Sequence, residues 1–445
     1  MAYVPNPPEI IQDMIRSIGM RSTEELFADI PDAVRIKEKL HLGAGMSEVT
    51  LRREMASLAS QNVTTDQMPC FLGGGAYDHY IPTVVEQVLS RSEFYTAYTP
   101  YQPEISQGIL QAIFEYQTMI CSITGMDVSN ASLYDGGSAL AEACHVACDA
   151  TGRRRVILPD VIHPHYLGVL KTYAIGGRME VVQAASVGGE TDPDAMIALF
   201  GEEPAAVVIQ HPNYFGNLEG HIETIAKAIH ARKGLLIMIV DPISLGILKP
   251  PGEWGADMAV GEGQALGNPL SFGGPYLGFL TATTALMRKI PGRLVGLTRD
   301  LEGRRAFVLT LQAREQHIRR ARAGSNICSN EALCALAAAV YLTVVGPQGL
   351  KEIAKRCHDL AAYARQRLEQ EGIRPLHDKP FFKEFAISLS TPHDVDRKLL
   401  DQGILGGLPL DEGGILLAFT EKRTRAEIDR LVNVLGGHNR EEVDL

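Results

Sequence analysis

The sequence is short of the residues that make covalent staples and metal knuckles. Its seven cysteines (Cys70, Cys121, Cys144, Cys148, Cys328, Cys334 and Cys357) are odd in number and include no C-x-x-C pair. A thiol redox motif and a zinc knuckle are thereby disfavoured. Cys144 and Cys148 share a helix face by their spacing and are expected as small buried apolar side chains. Positive charge is also scarce: 42 Lys and Arg stand against 53 Asp and Glu, a net charge of −11. That sign speaks against general nucleic-acid binding, which requires a basic face. No run of 18 apolar residues occurs, so no membrane span is expected. The opening residues lack a basic region followed by an apolar core, so no secretion signal is expected. Together these absences predict a soluble, cytoplasmic protein.

What is present is a long chain with an ordinary apolar share, 445 residues and 45%. Single cores seldom grow that large, so one large domain with smaller additions is expected. Residues 1–62 read as an N-terminal helical segment. Pro7 and Pro8 suit a first helical turn, Gly19 suits its close, and Ser22 with Glu25 forms a capping-box pattern. A third helix is expected over Ser47–Ser60, and a segment this apolar should lie against something larger. Residues 63–320 alternate between β-rich and helical runs. Strands are expected at Arg155–Leu158, Glu180–Gln183, Ala206–Gln210, Leu235–Val240, Met258–Val260 and Leu277–Thr281, with helices near 138–151, 164–174, 192–200 and 222–232. Such alternation predicts an α/β domain with a mostly parallel sheet covered on both faces. Residues 321–445 read as a smaller α+β domain. It has long helices at Asn330–Val345 and Gly349–Glu371, strands at Glu384–Leu389 and Ile415–Phe419, and helices at 393–402 and 424–435.

Four motifs could carry chemistry. Gly136-Gly137-Ser138 stands directly before a helix, where free N–H groups and the dipole suit an anion such as phosphate; the alternative is a glycine turn with a serine cap. Asp241 follows the apolar strand Leu235–Val240, at the edge where open α/β sheets bind ligands; the alternative is a strand-end turn. Gln210-His211-Pro212-Asn213-Tyr214-Phe215-Gly216 closes a buried strand with a Pro-Asn turn. His163, in Ile162-His163-Pro164-His165-Tyr166, could stack on a flat cofactor, although a lone histidine is more often structural.

In this order the motifs resemble the large domain of fold-type I pyridoxal-phosphate enzymes. The likeness narrows at Tyr95-Thr96-Ala97-Tyr98-Thr99-Pro100-Tyr101-Gln102-Pro103-Glu104-Ile105-Ser106-Gln107-Gly108, which resembles the signature of the glycine decarboxylases, the P-proteins of the glycine cleavage system. It continues in Phe114–Met119, Ile123–Ser132, Gly273-Gly274-Pro275, Pro291–Gly296, Leu311–Arg320 and Ser325-Asn326-Ile327-Cys328. A pyridoxal enzyme needs a lysine to bind its cofactor covalently. Within this fold that lysine follows the strand-end aspartate by a few tens of residues, yet no lysine lies between Lys249 and Lys289. Lys249 follows Asp241 too closely, and Lys289 lies beyond a further strand.

The resemblance explains the gap. Some P-proteins are single chains of two similar halves, whereas others divide into two chains, and the lysine belongs to the second. This sequence is similar to the first, alpha-type half; its Met-Ala start and charged tail, Asn439–Leu445, look like natural ends. The resemblance therefore implies pyridoxal phosphate on a partner, subunit 2, within an α2β2 heterotetramer. Glycine would be decarboxylated and its aminomethyl group passed to the lipoyl arm of H-protein. Candidates to reach the partner's site are Tyr95, Tyr98, Tyr101, Gln102 and Glu104, with core packing as the alternative. Arg319 and Arg320, in a stretch with Arg314 and Arg322, could clamp a carboxylate, a phosphate or an acidic H-protein surface, with a solvated helix face as the alternative. Gly136, Gly137, Ser138, His163 and Asp241 would form a relic cofactor pocket. A scaffold or H-protein-docking subunit is the competing reading; an autonomous pyridoxal lyase is disfavoured by the missing lysine.

Overall fold

The computed structural model describes residues 6–443 apart from 37, 39, 202 and 412, with side chains described as far as His438. The opening residues Met1–Pro5 and the charged tail from Asn439 on thus lie outside what is described in full. The chain divides into two compact units, Met1–Val63 and Thr64–Leu445.

Unit one is helical. Helix α1 (Pro8–Ser17) begins on proline and ends before Gly19, which takes the left-handed φ of 77° that suits a helix terminator. The Ser22 pattern gives only a 3-10 turn over Thr23–Phe27. The Ser22 side chain caps nothing, and Glu25 instead accepts the Arg21 N–H at 3.1 Å. Helix α2 (Glu48–Ala59) is capped by Ser47, which accepts the Thr50 N–H at 3.2 Å. Most large apolar side chains of this unit are exposed, among them Ile10, Met14, Phe27, Leu51 and Met55.

Unit two is built on a seven-stranded sheet. Its strands are β1 (Val128–Ser129), β2 (Arg155–Pro159), β3 (Glu180–Ala184), β4 (Pro204–His211), β5 (Leu235–Val240), β6 (Met258–Glu262) and β7 (Gly278–Ala282), in the order β1-β7-β6-β5-β4-β2-β3. From β3 to β6 all pairings are parallel; β7 runs antiparallel to both β6 and β1. Because side chains alternate along a strand, β5 sends Leu236, Met238 and Val240 into one core and Ile237 and Ile239 into the other. Helices α3 (Gln107–Thr124) and α4 (Ile222–Ala231) supply Tyr116, Ile120, Ile225 and Ile229 to the first core. Helices α5 (Gly136–Thr151) and α6 (Pro164–Ala174) supply Leu140, Cys144 and Leu170 to the second. Burial on both faces explains why these strands read as unbroken apolar runs.

Beyond the sheet, β8 (Leu294–Arg299) and β9 (Arg305–Thr310) form a hairpin that the strand expectations omitted. Its turn, Asp300-Leu301-Glu302-Gly303, was the available signal. Helix α7 (Ala332–Gln370) contains both predicted helices, with the break at Gly346, φ 58°. By length and composition α7 could cross a membrane, but Ala335, Ala338, Tyr341 and Leu350 are buried in the first core. The C-terminal sheet is antiparallel, ordered β10 (Glu384–Ile387), β12 (Gly414–Ala418), β11 (Leu408–Leu410), and rests on its own apolar cluster.

Two glycines show how tightly the sheet edge holds the start of β10. Gly216, in the Pro-Asn turn after β4, has φ 82°, and a Cβ there would meet the Glu384 carbonyl oxygen at 1.9 Å. Gly152, which ends α5 with φ 70°, has nothing within 4 Å of such a Cβ. Gly152→Ala is therefore expected to cost only backbone strain, about 1 kcal/mol. Gly216→Ala adds a backbone collision and is expected to cost at least about 3 kcal/mol. Urea melts of the two variants test this; equal losses would refute it.

Candidate functional site

Four parallel strands deliver their C-terminal ends to one place, as open α/β sheets do. His163 follows β2, Asn213 and Tyr214 follow β4, Asp241 follows β5, and Glu262 ends β6. Together with Gly74, Gly75, Tyr77 and Lys383 they line a cavity of ≈ 50 Å³. A water molecule requires roughly 10–15 Å³ on this measure, so there is room for only a few.

The anion cradle is formed, and it is engaged from within. The N-cap of α5 is Asp135, not Ser138: Asp135 accepts the Ser138 N–H at 2.7 Å, and both glycines lie inside the first turn. The Gly136 N–H is taken by Glu262 at 3.1 Å. Glu262 also accepts the N–H groups of Gln264 and Leu277, at 3.0 and 2.8 Å. His163 is buried, donates from Nε2 to the Gly74 carbonyl at 2.6 Å, and accepts the His165 N–H on Nδ1 at 3.1 Å. Burial lowers its pKa to about 4, which keeps the ring neutral. Its face is covered by Tyr166, stacked at 4.7 Å and 14°, and Tyr214 lies tilted at 5.3 Å.

Asp241 is paired. Lys383, at the start of the C-terminal sheet and only 1% exposed, places Nζ 2.7 Å from the Asp241 carboxylate. Nζ also lies 2.9 Å from His79 Nε2 and 3.6 Å from the Tyr77 ring centre. Burial and the Lys383 charge lower the His79 pKa, so His79 is neutral and donates from Nδ1 to Glu421 at 2.6 Å. Glu384 accepts the Gly74 N–H at 2.6 Å and the Tyr77 hydroxyl at 2.8 Å. His79, Cys357 and Glu421 approach one another closely enough to hold a metal ion, but their hydrogen bonds already account for the grouping. Pyridoxal phosphate does not fit these residues: its ring, phosphate and ring-nitrogen positions are all taken by side chains. Lys249 lies over Trp254, and Lys289 reaches the Asp149 carbonyl, so neither enters the cavity.

The other candidates gather elsewhere. Tyr95, Tyr98 and Tyr101 are exposed, Tyr98 by 84%, which corrects the core-packing alternative. Gln102 and Glu104 are exposed beside them. Tyr95 and Tyr98 line a cavity of ≈ 260 Å³ with Arg293, Asn330 and Glu331. Tyr101 meets His317 edge-on at 5.9 Å, so the tyrosine loop and the arginine segment share one surface. Arg319, Arg320 and Arg322 are exposed, on a run of short helical turns. The α-helical turn Gln316–Arg319 is flanked by 3-10 turns at Gln312–Arg314 and Arg320–Arg322, and the backbone has a positive φ of 54° at Arg320. Arg314 is spent on the carbonyls of Ile290 and Gly292. Arg319 and Arg322 line a cavity of ≈ 250 Å³ with Arg288 and Lys289, and Arg320 lines a neighbouring one of ≈ 430 Å³ with Arg178. Glu142, whose pKa burial pushes up to about 7, borders both.

Lys383, Tyr166, Glu262 and Tyr77 were missed from sequence. Lys383 is 304 residues from His79 along the chain, and no local pattern ties the two together. Tyr166 lay inside the Ile162–Tyr166 motif, where only His163 was weighed, and Glu262 lies just past the expected strand Met258–Val260.

Burial pushes Glu384 from 4.5 up to about 7, against the Gly74 and Tyr77 hydrogen bonds. A group whose folded pKa is raised stabilises the fold at low pH and loses that contribution as pH rises through the folded value. Glu384→Gln stays neutral throughout. The unsubstituted chain should therefore lose about 2 kcal/mol relative to Glu384→Gln between roughly pH 5 and pH 8.5. Urea melts at the two pH values read this directly; a difference independent of pH would refute it.

The chain matches the family model described as glycine cleavage system P-protein over residues 1–435. It is 60% identical over 440 residues to the probable glycine dehydrogenase (decarboxylating) subunit 1 of Syntrophomonas wolfei, covering 99% of this chain and 100% of that one. The protein of the same name from Carboxydothermus hydrogenoformans is 55% identical over 443 residues, 98% and 100% of the two chains. The crystal structure of glycine decarboxylase (P-protein) in inhibitor-bound form superposes with a TM-score of 0.91 at 44% identity, covering 98% of this chain and 100% of that chain. A sphingosine-1-phosphate lyase of Burkholderia pseudomallei superposes with a TM-score of 0.67 at 14% identity, covering 92% of this chain and 94% of that chain, a likeness of fold alone. The architecture is that of fold-type I pyridoxal-phosphate enzymes, and the chain belongs to the glycine cleavage system P-protein family.

Proposed function

We propose that this chain is subunit 1 of a two-subunit glycine decarboxylase, required for activity but carrying no cofactor of its own. The observation that carries the reading is the conjunction of a family match over residues 1–435 with a cofactor pocket whose lining lysine, Lys383, is bound to Asp241. The partner, subunit 2, would hold pyridoxal phosphate, which when bound draws electrons from glycine as carbon dioxide leaves. The aminomethyl group would then pass to the lipoyl arm of H-protein. The assembly would be an α2β2 heterotetramer in the cytoplasm.

Within that assembly this chain's contribution comes from its exposed surface. Tyr95, Tyr98, Tyr101, Gln102 and Glu104 offer rigid aromatic faces with polar tips, and Pro100 and Pro103 stiffen the loop. Such a loop suits the wall of a site completed from across an interface. Arg319 and Arg320 are exposed beside it and, with Arg288, Arg322 and Arg178, concentrate positive charge on a chain of net charge −11. That concentration supports binding of a carboxylate or an acidic protein surface. Ile105, in the same loop, is 81% exposed and adds apolar surface to it.

The competing reading is a scaffold that docks H-protein and supplies no group to the site. Reconstitution with the lysine-bearing partner separates the two. Tyr95→Phe and Arg319→Ala are each expected to lower glycine decarboxylation at least tenfold while leaving the complex assembled on a sizing column. Unchanged turnover in both variants would favour the scaffold. Failure of any partner to restore decarboxylation would overturn the subunit reading itself.

A further inference from the structure

We infer that the cofactor pocket of this chain is filled by side chains that stand in for the cofactor piece by piece, and that the filling clamps the C-terminal sheet onto the large sheet. Three anchoring features define such a pocket in this fold: a ring face, an anion cradle and a carboxylate for the ring nitrogen. Each has an internal occupant. Tyr166 stacks on His163 at 4.7 Å and 14°, where a flat ring would lie. Its hydroxyl stands against Gly136, so close that a Cβ there would fall 2.1 Å from it. Glu262 puts a carboxylate oxygen on the Gly136 N–H, where a phosphate oxygen would go. Lys383 puts an N–H donor on Asp241 at 2.7 Å, as a protonated ring nitrogen would.

The occupants come from separate parts of the chain. Tyr166 belongs to α6 and Glu262 to β6, but Lys383 immediately precedes β10. Its neighbour Glu384 is hydrogen-bonded to Gly74 and Tyr77, and the Gly216 turn presses on the Glu384 carbonyl. The Lys383 ammonium, 2% exposed at its side chain, is thus the point at which the C-terminal sheet enters the large sheet's edge. Lys383 is not available for covalent attachment. Its amine is bound to the carboxylate that would face the ring nitrogen, the far end of the cofactor from the carbon that takes a lysine. The inference concerns this chain alone and stands whether or not the chain is subunit 1 of a decarboxylase.

Two measurements on the full chain test it. First, dialysis against pyridoxal phosphate is expected to leave none bound; one retained equivalent would overturn the inference. The triple variant Tyr166→Ala, Glu262→Ser, Lys383→Met removes the three occupants and is expected to retain pyridoxal phosphate at least tenfold more tightly than the parent. A folded triple variant with no such gain would also overturn it. Second, thermal melts of a double-mutant cycle test the clamp without any ligand. Lys383→Met leaves a buried carboxylate unpaired and should lower Tm by several degrees. Adding Asp241→Asn should recover most of the loss, whereas strictly additive losses, or an unchanged Tm in Lys383→Met, would show that the pair clamps nothing. A failed decarboxylation assay leaves all of these readouts intact.

Discussion

The buried pair of Lys383 and Asp241 is the constraint around which the rest of unit two is arranged. Taking both charges out of water costs several kcal/mol for each ion, and their attraction recovers that only with good geometry and further polar partners. The partners are present. Lys383 has the His79 nitrogen and the Tyr77 ring, and Asp241 accepts the Ile243 N–H at 2.9 Å. Tyr77 in turn is held by Gln264 and Glu384, so the turn after β6, the Gly74–Tyr77 loop and the start of β10 converge on one ammonium group. A network so fully engaged fixes one relative placement of these elements, because no other placement satisfies every member.

Two polar regions with opposite physical character follow. The closed one lies at the ends of the parallel strands, is nearly dry, and spends its donors and acceptors on itself. The open one, formed by the tyrosine loop and the segment around Arg320, leaves guanidinium groups and aromatic faces toward solvent. In an ordinary member of this fold the first region would carry the chemistry and the second would be its surroundings. In the proposed reading the weight is reversed, and recognition falls to the open side. Arg320, on that open side, has a positive φ of 54°, which is uncommon for a non-glycine residue.

Most of the central sheet was legible because buried parallel strands are written as short apolar runs, and β2 to β7 were all found to within about two residues. Helix starts were less legible. Ser138 looked like the cap of α5, but Asp135 takes that role: its carboxylate accepts the Ser138 N–H, so the helix starts three residues earlier, on the glycines. The hairpin of β8 and β9 escaped because it falls largely between two family blocks, Pro291–Gly296 and Leu311–Arg320, and the alternation of Arg305–Thr310 was not weighed. His163 and Asp241, singled out for a relic pocket, line one cavity, and the Gly136 N–H meets Glu262 of that cavity, yet its contents were not legible. Lys383 and Tyr77 come from segments whose local pattern says only strand start and loop. A sequence shows which groups could hold a ligand; it does not show which distant side chain already holds them.

The exposed apolar side chains of Met1–Val63 bear on how such a protein must be made. Ile10, Met14, Leu51 and Met55 lie about half open to water, on a segment with almost no buried side chain of its own. Surface of this kind seeks any cover it can find. In the proposed two-chain enzyme, an excess of one polypeptide over the other would then be a hazard of self-association as much as a waste of synthesis. Balanced production of the two chains would keep both in solution.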